Sequence, residues 1–99
     1  MQVTIIYWRD IPSQVVSGTG RKKSKIMLSD RFQEAIDMAA MRDKSHESSD
    51  YLEGWRKENL SEFDETAEDI TASVASGLEA KFDDELLRSF VTNGGWETR

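Results

Sequence analysis

Residues 7–12, with the sequence YWRDIP, bring together side-chain types that can bind ligands. Large aromatic rings next to a charge pair and a turn can form a pocket wall, in which Arg9 would bind a carboxylate or a phosphate. The same rings can also serve packing alone, because aromatic side chains mainly supply buried area. Both interpretations are open for the candidate binding residues of this segment, which are Tyr7, Trp8, Arg9 and Asp10.

A second candidate follows at residues 18–25, GTGRKKSK, where Arg21, Lys22, Lys23 and Lys25 form a basic cluster. The glycine spacing matches neither a dinucleotide-binding fingerprint nor a phosphate-binding P-loop. The basic residues can keep a sheet edge from pairing with other chains. They can also bind an acidic protein or an anionic ligand, or contact nucleic-acid phosphates. A net charge of −6 counts against nonspecific nucleic-acid binding.

The charges of the chain are unevenly distributed along its length. Residues 1–25 hold five basic and one acidic side chain, and residues 61–99 hold three basic and ten acidic ones. Such segregation is typical either of self-neutralisation within the fold or of a basic surface that contacts an anionic partner. The second interpretation predicts a contact patch made of Arg9, Arg21, Lys22, Lys23 and Lys25.

Other kinds of site chemistry have little support in the sequence. Cysteine is absent, which excludes disulfides and thiolate chemistry, and His46 is the single histidine. The acidic groups near residues 64–69 and 83–85 lie where helix N-termini favour carboxylates, so we interpret them as helix-start residues and not as ligands of Mg²⁺ or Ca²⁺. We therefore predict no catalytic residue, no metal site and no cofactor, and favour a protein that is not an enzyme.

Hydrophobic patterning predicts strands over residues 2–9, 14–17 and 21–28, joined as an antiparallel meander. The first is rich in β-branched and aromatic residues on both faces, which favours a central strand. Asp10–Ser13 is predicted to separate the first two strands, since proline lacks an N–H donor.

The rest of the chain predicts helices. One covers residues 30–42, with Phe32, Ala35, Ile36, Ala39 and Ala40 on its core face and Met38 and Met41 broadening that face. A second begins at Ser49 or Asp50 and carries Tyr51, Leu52, Trp55 and Leu60, and a third begins near Asp64. Asp83 can cap a last helix, which Gly94-Gly95 ends. The prediction is one α+β domain over residues 1–99, a sheet of about three strands with three to four helices on one face.

The opening segment has no basic region followed by an apolar core and a cleavage site, so we expect no secretory signal. Apolar runs are too short to span a bilayer. We therefore expect a cytoplasmic protein without membrane contact.

Five stretches together resemble a known family: VTIIYWRDIPSQV, GRKKSK, LSDRFQEAIDMAAMR, YLEGWRK and LEAKFDDELLRSF. They are similar to a small bacterial family described as virulence factor, related to the terminal domain of the conserved virulence factor C proteins. The resemblance covers nearly the whole chain and is most specific in YWRDIP. It implies a bacterial cytoplasmic accessory protein, carries over no catalytic residue, and loosely associates the chain with corrinoid- and folate-dependent methyl transfer.

These observations favour a non-enzymatic interaction module that binds an acidic protein or anionic ligand through its basic N-terminal patch. The alternatives are a small enzyme or enzyme subunit acting on an anionic small molecule near Trp8, Arg9 and Asp10, and weak nucleic-acid binding at the basic hairpin tip. The enzyme alternative predicts a concave pocket lined by those three side chains.

Overall fold

The computed structural model describes residues 2–18, 23–42, 49–60 and 67–97. Their helices and strands follow the chain in the order β1 (Val3–Trp8), β2 (Ile11–Ser17), β3 (Ser24–Met27), α1 (Asp30–Arg42), α2 (Ser49–Glu53), β4 (Trp55–Leu60), α3 (Ala67–Lys81) and α4 (Asp84–Thr92). The four strands form one antiparallel sheet in the order β3-β2-β1-β4. The predicted α+β class is confirmed.

β1 is a central strand, as predicted, with β2 on one side and β4 on the other. β2 begins at Ile11, three residues earlier than predicted, so Pro12 lies within a strand and does not end one. The pairing with β1 is irregular there, because its register shifts between Ile6 and Tyr7. A bulge of this kind accommodates proline, which cannot donate a ladder hydrogen bond.

β4 corrects the prediction of a second helix that would include Trp55 and Leu60. The helix is short and ends at Glu53, and residues 55–60 pair with β1 along its full length, from Trp8 opposite Trp55 to Val3 opposite Leu60. The sequence WRKENL has little strand propensity, so pairing with an apolar central strand determines its conformation. The sheet therefore has four strands where about three were expected.

The helix-facing side of the sheet carries Val3, Ile5 and Val15, all buried. α1 and α3 pack on β2 from this side. The predicted core face of α1 is confirmed, since Phe32, Ala35, Ile36, Ala39 and Ala40 are buried. Met38 and Met41 do not extend it; they are 52% and 60% exposed. None of the helices in the described ranges is long and apolar enough to cross a lipid bilayer.

Arg31 joins α1 to the connection between α3 and α4. Its guanidinium donates to the carbonyls of Glu79 and Phe82 and pairs with the Glu79 carboxylate at 3.1 Å. That carboxylate also accepts from the backbone N–H and hydroxyl of Ser29, at 2.7 and 2.8 Å. Burial alone would raise the pKa of Glu79, but these hydrogen bonds and the Arg31 charge outweigh it and lower the pKa below its usual value.

α4 begins as predicted, because the Asp83 carboxylate accepts a hydrogen bond from the N–H of Leu86 at 2.8 Å. It also ends as predicted, at a turn in which Gly94 and Gly95 both have positive φ. The expected start of α3 near Asp64 and the polar loop with His46 lie outside the described residues.

Candidate functional site

The turn between β1 and β2 consists of Arg9 and Asp10 and is held by two distant parts of the chain. The N–H of Arg9 donates to the carbonyl of Gly54 at 2.7 Å, and the N–H of Asp10 donates to the carbonyl of Gly95 at 2.8 Å. Arg9 has a φ of 56°, a left-handed conformation that is uncommon outside glycine. The YWRDIP segment is thus the point where the N-terminal hairpin, the start of β4 and the turn after α4 meet.

Trp8 is completely buried and packs as core. Its Nε1 donates to the carbonyl of Tyr51 at 2.7 Å, and its ring lies 5.8 Å from the Tyr51 ring. Two glycines approach the indole closely, because a Cβ on Gly54 would lie 2.6 Å from Nε1 and one on Gly95 would lie 2.7 Å from Cζ3. Only residues without a side chain can take these positions, so the ring is enclosed and forms no pocket wall.

The Arg9 side chain is also turned inward, and the residue is only 7% exposed. One terminal nitrogen donates to the carbonyl of Gly94 at 2.6 Å. The guanidinium carbon lies 4.5 Å from the centre of the Trp8 ring and 5.3 Å from that of the Trp96 ring. Arg9 therefore belongs to the internal packing of the turn and is separate from the exposed basic residues of the predicted patch.

Tyr7 and Asp10 line a groove of about 630 Å³ between the sheet and the end of the helix layer. We call it the α4 groove; its lining residues are Tyr7, Asp10, Arg56, Glu58, Lys81, Phe82, Leu86, Ser89, Phe90 and Glu97. Trp8 and Arg9 are not among them. Of the three side chains expected around one pocket, Asp10 alone borders this groove.

Arg56 is at the centre of the polar side of the α4 groove. Its guanidinium pairs with Asp10 at 3.3 Å and Glu58 at 3.1 Å, and its Nε donates to the carbonyl of Arg9 at 2.8 Å. It also lies over the Tyr7 ring, 4.4 Å from its centre. Burial and the Glu58 charge raise the pKa of Tyr7, with a smaller contribution from Asp10 that opposes the lowering by Arg56. Tyr7 is therefore a neutral phenol at ordinary pH.

The side of the sheet turned away from α1 and α3 carries a different set of side chains. Alternation along each strand assigns eight residues to it, which we call the open face: Thr4, Ile6, Gln14, Val16, Lys25, Met27, Lys57 and Asn59. A hydrogen bond of 2.8 Å from the Thr4 hydroxyl to the Asn59 side chain agrees with this assignment. Each of the eight is at least partly exposed, and Met27 is 56% exposed.

The open face contains two lysines and no carboxylate. Lys25 lies on the edge strand β3 and Lys57 on the opposite edge strand β4, with Ile6 and Val16 on the strands between them. The exposed side of the helix layer carries charges of both signs, with Glu34 and Asp37 on α1 and Asp83, Asp84 and Glu85 at the start of α4, alongside Arg42, Lys81 and Arg88. The open face differs from it in having no carboxylate among its eight residues.

The predicted basic patch is only partly described. Lys23 and Lys25 are exposed at β3, whereas Arg21 and Lys22 lie outside the described residues. The structure brings Lys25 onto one face with Lys57. The sequence pattern predicts a helix through Trp55 and Leu60, so it does not indicate that Lys57 lies on a sheet with Lys25. Gly54, which follows Glu53 a few residues after the helix start, is the signal in the sequence that the helix ends there.

Within residues 2–18, 23–42, 49–60 and 67–97, no three His, Cys, Asp or Glu side chains are placed to hold a metal ion together.

No curated protein and no solved structure matches the chain. A family model described as virulence factor does match it, over residues 6–91. The match extends from within β1 to the last turn of α4 and includes the enclosed hairpin turn, all of the open face except Thr4, and all of the α4 groove except Glu97. The chain belongs to the virulence factor family.

Proposed function

We propose that this protein is a non-enzymatic interaction module that docks an acidic segment of a partner protein on the open face of its sheet. The observation that supports it is the charge of that face, which carries Lys25 and Lys57 without a carboxylate in a chain of net charge −6. In a chain with an excess of acids, a cationic face without a carboxylate is a local surface that attracts acidic partners.

The apolar side chains of the open face support a protein partner. Ile6 and Val16 lie between the two lysines, and Met27 extends the apolar strip to the edge strand. Protein interfaces combine an apolar centre with a polar rim, and methionine adapts its shape to different partners. With four strands spaced about 4.8 Å apart, the lysines at the two edges are roughly 14 Å from each other across the sheet. An acidic amphipathic segment can bridge that span.

Lys23, which is exposed next to β3, extends the cationic surface, and the proposal keeps Arg21 and Lys22 as predicted members of the patch outside the described residues. This retains the basic N-terminal patch as the proposed contact, with Arg9 removed from it and Lys57 added. Arg9 is left out of the proposed contact because it is only 7% exposed and lies against Trp8 and Trp96.

The proposal is tested with a synthetic peptide of alternating glutamate and leucine, titrated into the isotopically labelled protein and followed by NMR. We expect the amide shifts to change mainly at Thr4, Ile6, Val16, Lys25 and Lys57. The double variant Lys25→Glu, Lys57→Glu should bind the peptide at least about tenfold more weakly, because each reversal replaces an attraction with a repulsion.

The matched control is Lys81→Glu, Arg88→Glu, which makes the same change of charge on exposed residues of α3 and α4. If the control variant weakens peptide binding as much as the Lys25→Glu, Lys57→Glu variant does, the net charge and not the open face governs binding. The proposal is then wrong. A third titration uses a single-stranded oligonucleotide with the same net charge as the peptide. Tighter binding of the oligonucleotide, mapped to the same residues, would favour the nucleic-acid alternative.

A further inference from the structure

The α4 groove lies on the helix-facing side of β4, so it is separate from the proposed docking face on the other side of that strand. It is bounded by β4 and the end of β1 on the sheet, and by α4 and the end of α3 in the helix layer. Among the described elements, α1 packs on β2, and α3 packs on β2 and β3. Its volume of about 630 Å³ is in the range of sites for small ligands.

The floor of the groove is apolar and well packed. Phe82 and Phe90 are buried and meet edge to face with ring centres 5.4 Å apart. Leu86 and Tyr7 are half-buried beside them and present apolar surface to the groove. Such a floor accepts the hydrocarbon part of a ligand without rearrangement, because the rings already hold one another in place.

The rim of the groove has more negative than positive side chains. Asp10, Glu58 and Glu97 supply three carboxylates, against the cations of Arg56 and Lys81. Arg56 is fully engaged by its two ion pairs and its bond to the Arg9 carbonyl. A shallower hollow next to the groove adds two more carboxylates, those of Asp83 and Glu85.

Glu97 is positioned to receive a cation. Its backbone N–H donates to the Asp10 carboxylate at 2.7 Å, which fixes the residue at the end of the groove. Its own carboxylate forms no ion pair with any residue of the described part of the chain. The raised pKa of Tyr7, caused by burial and then by Glu58, agrees with a negative potential at this end. A negative potential disfavours a phenolate and stabilises a bound cation.

We infer that the α4 groove binds a small organic cation, a protonated amine or guanidine, whose apolar body lies on Leu86 and Phe90 and whose charged group lies between Glu58 and Glu97. An organic anion would meet one more repelling than attracting group at the rim. A neutral apolar molecule would make the apolar contacts with the floor of the groove but would lack the electrostatic attraction to its rim.

The experiment compares two probes of similar shape and opposite charge, 2-phenylethylamine in its protonated form and 3-phenylpropionate. Each is titrated into the labelled protein, and shift changes are followed at Tyr7, Leu86, Ser89 and Phe90. We expect the amine to perturb these residues in a saturable way and to bind at least about threefold more tightly than the carboxylate, the size of one exposed charge interaction.

Two variants of opposite effect make the test specific. Glu97→Gln should weaken amine binding about threefold, and Lys81→Gln should strengthen it by a smaller factor, because one removes an attracting and the other a repelling charge. Glu34→Gln, on the exposed side of α1, is the matched control and should leave the affinity unchanged. Equal binding of both probes, preference for the carboxylate, or an equal loss in the control variant would overturn the inference. Failure of the glutamate–leucine peptide to bind would not bear on it.

Discussion

The YWRDIP turn and the open face differ in how they use side chains that look equally suited to binding. In the turn, Trp8 and Arg9 are enclosed by residues from two distant parts of the chain, 51–54 and 94–96. On the open face, Lys25 and Lys57 extend into solvent from a regular sheet. In this small domain, aromatic and charged residues that are adjacent in sequence are buried by internal packing, whereas the lysines of a regular sheet remain exposed.

The largest test of this contrast is Trp8→Ala, which should lower the free energy of unfolding by about 3–5 kcal/mol. The indole fills the space against Gly54 and Gly95 and donates a hydrogen bond to Tyr51, so its loss leaves both a cavity and an unpaired carbonyl. The measurement is urea unfolding, with Val16→Ala on the open face as the control, expected to cost less than about 1 kcal/mol. If the alanine variant does not fold, Trp8→Phe replaces it, and its loss of unfolding free energy should be smaller because a ring is retained. Equal costs for the Trp8→Ala and Val16→Ala variants would contradict the contrast.

A smaller effect is expected from Arg9→Gln, about 1–3 kcal/mol of unfolding free energy. The substitution removes the charge that lies over Trp8 and Trp96 and the donor to the Gly94 carbonyl. Arg9→Lys should fall between this variant and the original chain, since it keeps the charge but loses the planar group. Denaturant unfolding followed by tryptophan fluorescence measures both. A lysine variant as stable as the original would show that the planar stacking does not contribute.

The smallest effect belongs to the open face, where Lys25→Gln and Lys57→Gln should each change the unfolding free energy by less than about 0.5 kcal/mol. Neither lysine has an ion pair with a residue of the described ranges. Thermal unfolding at equal ionic strength is the check. A loss above about 1 kcal/mol would mean that these lysines serve the fold, and the distinction between the two regions would then fail.

Local pattern was sufficient to predict α1 and the two ends of α4. α1 shows apolar residues at helical spacing after Asp30, and the structure has it over the predicted residues. Asp83 and the glycine pair act through hydrogen bonds and backbone conformations that are local in sequence, so the residue types alone indicate them.

β4 and the enclosure of Trp8 could not be predicted in this way, because both depend on contacts between distant residues. Residues 55–60 have no apolar alternation, and their strand conformation follows from pairing with β1. The two glycines on the indole are 46 and 87 positions from Trp8 in the sequence. The position of Lys57 on the open face is also a long-range property, because it follows from the register in which β4 pairs with β1.

The contacts of the YWRDIP turn with residues 94–97 also determine when the fold can be completed. The hydrogen bonds from Arg9 to Gly94 and from Glu97 to Asp10 join positions 85 and 87 residues apart. During synthesis the ribosome makes the N-terminal hairpin first, and its turn cannot be enclosed until residues 94–97 have left the exit tunnel. Closing such a long loop has a large entropic cost and slows folding. Until then, the side of the Trp8 indole that Gly95 covers stays open, although Tyr51 and Gly54 can already pack on the ring.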